Sequence, residues 1–172
     1  MSTVETTVRE WAQYNEVRVG EDKTEVNGEK QAAESSRWYP PPQGVIKLNS
    51  DAALEQKERR IGSEVVARRE DGEMVGAWAG GERRDGNPTV EEALAIRKAV
   101  IKAKQRGWNK VEIQSDCKQM VDKLKDRNNE DPITGTILAD ILMLSQEFDE
   151  CYFSFVKRDA VSQAGKICHK PV

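Results

Sequence analysis

Residues 44–54 read Gly44-Val45-Ile46-Lys47-Leu48-Asn49-Ser50-Asp51-Ala52-Ala53-Leu54, and their alternation sets the frame for everything that follows. Ile46 and Leu48 fall on one side of an extended chain, with Lys47, Asn49 and Asp51 on the other. The segment therefore predicts a strand whose polar side carries Asp51 near its end. Two further β-rich runs, 61–69 and 74–80, flank Glu70-Asp71-Gly72-Glu73, in which Asp-Gly is a strong hairpin signal. Three strands in an antiparallel meander are expected. Just upstream, Trp38-Tyr39-Pro40-Pro41-Pro42-Gln43-Gly44 stiffens the backbone, blocks helix formation and brings two aromatic rings to the edge of the domain.

Downstream the period changes from two to 3.6. Residues 88–106 predict a helix, with Thr89 as cap, Glu91 and Glu92 in the favourable first turn and Gly107 as terminator. Residues 110–115 alternate as a strand leading into a helix over 117–126. Ile133, Ile137, Leu138, Ile141, Leu142, Leu144 and Phe148 have helical spacing over 133–148. A last strand over 152–156 and a short helix from about residue 160 complete the order βββ-α-β-α-α-β-α. That order implies an α/β fold over residues 38–172: a mixed five-stranded sheet, meander first and parallel strands after, flanked by helices. Residues 1–37 hold eight acids and five bases, with little apolar periodicity beyond Val8, Trp11 and Tyr14. They read as a flexible acidic tail or linker with at most one fragile helix.

At 172 residues the chain has room for one domain plus a tail. Its 27 basic and 30 acidic side chains give a net charge of −3, which argues against strong nonspecific nucleic-acid affinity of the chain as a whole. The charges are nevertheless segregated. Residues 93–127 hold ten Lys and Arg against four acids, whereas 128–156 hold six acids and no base. This pattern suits solvated helix faces, and it would also orient a polyanion towards residues 97–127. Cys117, Cys151 and Cys168 include no CxxC pair and the sole histidine is His169, so a zinc site is excluded and reduced thiols are expected. No apolar run is long enough to span a bilayer and no apolar signal core opens the chain, so an intracellular, cytoplasmic or nuclear monomer is expected.

The carboxylates carry the chemistry. In a parallel strand pair the ligand site lies at the carboxyl ends, and both Asp51 and Asp116 fall at such ends. On the long helix, Glu92 shares a face with Ala95, Ile96, Ala99, Val100 and Ala103, whereas Glu91 groups with Leu94, Lys98 and Lys102. Glu92 is thus the acid aimed at the sheet. Three converging carboxylates repel one another unless a divalent cation neutralises them, and oxygen-only ligands favour Mg2+ or Mn2+. Each acid also has a plainer reading: Asp116 as a helix N-cap, Glu92 as a partner of the helix dipole, Asp51 as a strand-ending turn residue.

Four stretches in order carry a family resemblance: Trp38-Tyr39-Pro40-Pro41-Pro42 with Ile46-Lys47-Leu48-Asn49-Ser50-Asp51-Ala52-Ala53; Glu92-Ala93-Leu94-Ala95-Ile96-Arg97-Lys98-Ala99; Val111-Glu112-Ile113-Gln114-Ser115-Asp116; and Phe153-Ser154-Phe155-Val156-Lys157-Arg158. Together they resemble the type 1 ribonuclease H domain, in the plant form related to retrotransposon reverse transcriptases, over roughly residues 38 to 170. The resemblance implies hydrolysis of the RNA strand of an RNA–DNA hybrid by two metal ions, Mg2+ or Mn2+, held between carboxylates. It assigns Asp51, Glu92 and Asp116 as catalytic metal ligands. Asn49, Ser115, Arg97, Lys98 and Lys118 would make the nucleic-acid contacts.

The sequence also departs from the family. Where the last helix should carry Asn and then an acid or His, Val161 and Gly165 stand, so the fourth ligand is missing. Neither Asp159 nor His169 occupies its place. Ala52 follows Asp51 where Gly is common, and Glu64 sits in a second-strand segment that is usually apolar or Gly. Two functions are therefore expected: a metal-dependent hybrid endonuclease, impaired by the lost carboxylate, or a catalytically inactive hybrid-binding module derived from a retroelement.

Overall fold

The computed structural model describes residues 38–157, so the expected tail over 1–37 and the short helix from about residue 160 lie outside the described residues. The elements are β1 (Ile46–Glu55), β2 (Arg60–Arg68), β3 (Met74–Arg83), α1 (Pro88–Gln105), β4 (Lys110–Ser115), α2 (Lys118–Lys125), α3 (Gly135–Ser145) and β5 (Glu150–Phe155). They build one mixed sheet in the order β3-β2-β1-β4-β5. The meander β1–β2–β3 is antiparallel, while β1–β4 and β4–β5 are parallel. This is the expected architecture. Among the described residues no helix is long and apolar enough to cross a membrane.

Local chemistry explains the boundaries. Gly72 takes a φ of +83° in the β2–β3 turn, a region that glycine enters without steric cost, and Arg69 N–H closes the hairpin on the Glu73 carbonyl at 2.9 Å. Gly107, at φ +69°, ends α1 in a Schellman arrangement. Its N–H donates to the Lys104 carbonyl, and that of Trp108 donates to Ala103.

The start of α1 differs from expectation. Asn87 is the cap, not Thr89: its side-chain oxygen accepts from the N–H groups of Thr89 and Val90 at 2.9 and 3.4 Å, with Pro88 inside the first turn. Asn87→Ala should cost about 1 kcal/mol in a urea titration, and Asn87→Ser should restore most of it. Equal stability of the alanine variant would show that the cap contributes nothing.

The core lies between one sheet face and the three helices. Leu48, Val65, Ala67, Val111, Ile113 and Phe153 of the sheet meet Ile96, Val100, Met120, Leu124, Leu138 and Ile141. Ala93, Ala99 and Ala103 are small enough to bring the α1 backbone close to the sheet.

The opposite sheet face is polar, as the alternation in β1 predicts, and it is also buried. The strand registers align Arg68, Lys47 and Glu112 in one row, and Asn49, Gln114 and Ser154 in the next. Glu112 pairs with Lys47 at 3.2 Å and accepts from Ser154 Oγ at 2.6 Å. Lys47 Nζ also donates to the Tyr39 carbonyl at 2.7 Å and, like Arg68, lies near the ring of Trp38. Burying these polar groups is tolerable because hydrogen bonds and ion pairs within and between the rows, and to the Tyr39 carbonyl, satisfy most of them.

The charge segregation in the sequence is cancelled in space. Arg97 pairs with Asp140, Lys104 with Glu147, Lys110 with Glu150 and Lys123 with Asp131. The basic and acidic segments are therefore folded against each other, which weakens any field that would steer a polyanion to residues 97–127.

Asp131 also accepts from the N–H groups of Ile133 and Thr134 ahead of α3. The Lys123 ammonium, reinforced by those N–H groups, holds its carboxyl well below the usual carboxylate range. A depressed folded-state value makes the contribution complete above the unfolded value of about 3.9 and progressively lost as pH falls from there. The melting temperatures of wild type and Asp131→Asn should therefore differ near neutrality and converge in acid. A gap that stays constant with pH would contradict this account.

Candidate metal centre and nucleic-acid interface

Two parallel strands deliver two of the acids to one level. The β1–β4 ladder ends at Ser50 opposite Ser115, and Asp51 and Asp116 are the next residues of their chains. Ser50 Oγ donates to the Gln114 carbonyl at 3.3 Å, while Ser115 Oγ accepts from Cys117 N–H at 3.1 Å, which turns the chain towards α2 at Asp116. Asp116 does not cap that helix: Cys117 holds the cap position and no side chain bonds there. Asp51 does not end its strand either, because β1 continues to Glu55 in pairing with β2. Two of the plainer readings of these acids therefore fail.

Glu92 reaches the same place from the first turns of α1. One ligand oxygen from each of Asp51, Glu92 and Asp116 lies within 4.8 Å of the other two, and all three residues are half-buried. This donor set fits a hard divalent cation: the oxygens are anionic, close together and partly shielded from water, so a bound cation relieves their mutual repulsion. Burial pushes the adjacent Cys117 thiol up, and the charges of Glu92 and Asp116 push it the same way against the opposing hydrogen bond from Met120. Cys117 is thus kept a thiol and is no rival nucleophile.

The neighbouring Glu91, a first-turn acid on the face of Leu94 and Lys98, has a partner that the sequence does not reveal. It is buried and held bidentately by Arg84 at 2.7 and 2.9 Å. The grouping of Glu91 with Leu94 and Lys98 holds, since all three line one cleft, but that face turns towards β2 and β3. No local sequence signal joins Arg84 to Glu91.

The residues expected at phosphates are dispersed. Asn49 and Ser115 are only 4% and 1% exposed. Asn49 donates to Gln114 at 2.7 Å and Ser115 holds the Cys117 N–H, so both order the acid-bearing strands where contact with a phosphate was expected. Arg97 is engaged by Asp140 of α3, and Lys98 donates to the carbonyl and hydroxyl of Ser63 on β2. Lys118, two residues after Asp116, is well exposed and, among the described residues, pairs with Asp122 in the next turn.

Comparison with known proteins follows the same lines. The sequence model of the reverse transcriptase-like family matches residues 49–170. No curated protein matches the chain by sequence. Among solved structures, RNase H1 from the halophilic archaeon Halobacterium salinarum NRC-1 is 19% identical with a TM-score of 0.63, covering 71% of this chain and 92% of that one. The N-terminal RNase H domain of rv2228c from Mycobacterium tuberculosis, solved as a fusion with maltose binding protein, is 15% identical with a TM-score of 0.59, covering 72% and 98%. LC11-RNase H1 in complex with an RNA/DNA hybrid is 17% identical with a TM-score of 0.61, covering 70% and 91%. The mixed sheet and its flanking helices thus agree with the sequence match, and the chain belongs to the reverse transcriptase-like family, with the ribonuclease H fold.

Proposed function

We propose that this chain hydrolyses the RNA strand of RNA–DNA hybrids, using divalent cations held by Asp51, Glu92 and Asp116. The observation that supports this most is the convergence of three carboxylate oxygens within 4.8 Å, brought together from β1, α1 and β4. Similar folds solved with an RNA/DNA hybrid, LC11-RNase H1 and the foamy viral protease-reverse transcriptase, favour the hybrid as substrate. The second is 13% identical with a TM-score of 0.51, and only 20% of its length is covered.

Two bound Mg2+ or Mn2+ ions would supply Lewis-acid activation of a water and stabilisation of the departing 3′ oxygen. The protein's part is to hold the three anionic oxygens at fixed separation on rigid elements. Lys118, exposed beside Asp116, is placed to meet a phosphate, and Arg97 would first have to exchange Asp140 for one. Asn49 and Ser115 act by positioning the acids.

The test is cleavage of a labelled RNA–DNA hybrid by the full chain in Mg2+ and in Mn2+, with Asp51→Asn prepared identically. Metal-dependent cleavage lost in the variant supports the proposal. Salt-dependent hybrid binding without cleavage in either metal would replace it with the inactive binding module.

A further inference from the structure

One more carboxylate stands beside the cluster. The antiparallel β1–β2 register sets Glu64 directly opposite Asp51. Directly opposed residues project from the same sheet face, with β-carbons about 4.5–5.5 Å apart. On its other side Glu64 faces Ala79 of β3, and its same-face neighbours along β2 are Gly62 and Val66. The described positions surrounding it on that face therefore offer no basic side chain. Among the described residues the charge directly across from it is the like charge of Asp51.

Four other acids of the sheet, its margin and α1 have a basic partner where Glu64 has none among the described residues. Glu112 has Lys47, Glu150 has Lys110, and Glu82 and Glu91 share Arg84. Among the described residues the Glu64 carboxylate enters no hydrogen bond or ion pair, and the residue is exposed. Like charges directly opposed across a sheet destabilise it, and the natural remedy for an acid beside a carboxylate cluster is a shared cation. The long, flexible glutamate side chain can turn towards Asp51 without moving the backbone.

We propose that Glu64 is a fourth carboxylate of the cation site, supplying an oxygen from the β2 side when an ion is bound. This rests on the reading of Asp51, Glu92 and Asp116 as metal ligands and extends it to a residue outside that cluster.

Mn2+ binding to the full chain, followed by the electron paramagnetic resonance of free Mn2+, tests it directly. Glu64→Gln should weaken Mn2+ by about tenfold or more, at least the loss typical of an outer-shell partner. Glu70→Gln removes the same charge from the exposed hairpin turn and should leave Mn2+ affinity unchanged. Asp51→Asn reports separately on the cluster. If Asp51→Asn weakens Mn2+ while Glu64→Gln binds it like wild type, the Glu64 proposal is overturned and the cluster reading survives. If wild type and Asp51→Asn bind Mn2+ alike, both fall. Melting of each variant in chelator confirms folding, and Glu64→Gln should melt no lower than wild type there. A generic charge effect would weaken Mn2+ equally in Glu64→Gln and Glu70→Gln, which also overturns the proposal.

Discussion

Asp51→Asn should yield a folded protein that has lost hybrid cleavage, by roughly 10²–10⁴-fold, the rate equivalent of the several kcal/mol attributed to charge stabilisation by bound metal. The substitution conserves shape and removes one anionic charge from a set of three whose oxygens lie within 4.8 Å. Its stability signature should run opposite to that of an ordinary core mutation. Without divalent cations the variant should be no less stable than wild type, and more stable by roughly 0.2–1 kcal/mol if the relief resembles that of removing opposed like charges across a sheet. Adding Mn2+ should then raise the melting temperature of wild type, since ligand binding to the native state stabilises it by mass action, and should raise that of the variant much less. A variant that melts lower in chelator and still cleaves would assign Asp51 a structural role and remove the basis for the metal centre.

The sheet order was legible because its signals are local. Alternation in β1 and β4, the Asp-Gly turn and the glycine after α1 are each readable within a few residues, and the structure keeps all of them. Glu92 was separated from Glu91 by helical period alone, and the separation holds. What stayed hidden depends on contacts between distant segments. Whether Asp116 caps α2 turns on Ser115 taking over the Cys117 N–H. The burial of Glu91 depends on Arg84, and the placing of Arg97 on Asp140, 43 residues away. The burial of the polar face of β1 was not legible, because alternation reports two faces and cannot say what covers each. Glu64 shows the same limit from the other side. Its residue type was conspicuous in the sequence, but its meaning needed the register that puts it opposite Asp51.

Glu112→Ala should be the most destabilising single change on that polar face, costing about 3–5 kcal/mol, because it strands a buried ammonium whose counter-ion has been deleted. Lys47 is 4% and Glu112 7% exposed, so water cannot readily replace the missing carboxylate. The Tyr39 carbonyl and the Trp38 ring near Lys47 would remain, but neither carries a full negative charge. Ser154 Oγ would lose its acceptor as well. Against a typical domain stability of about 5–15 kcal/mol, such a loss is large enough to be plain in a urea titration. Lys47→Met combined with Glu112→Leu should recover most of it, since replacing both members of a buried pair by apolar side chains is often close to neutral. A loss below about 1 kcal/mol for Glu112→Ala would mean that the face is wetter than its burial implies. The pair also bears on the site. Lys47 and Glu112 are register partners in the parallel β1–β4 ladder, and each lies four residues before an acid of the cluster, Asp51 or Asp116. A bridge that locks the two strands at that point fixes the level at which their acids emerge. The double apolar variant should therefore separate the two roles: stability returns through packing, and any remaining loss of Mn2+ affinity measures how far the ion pair itself sets the alignment of Asp51 with Asp116.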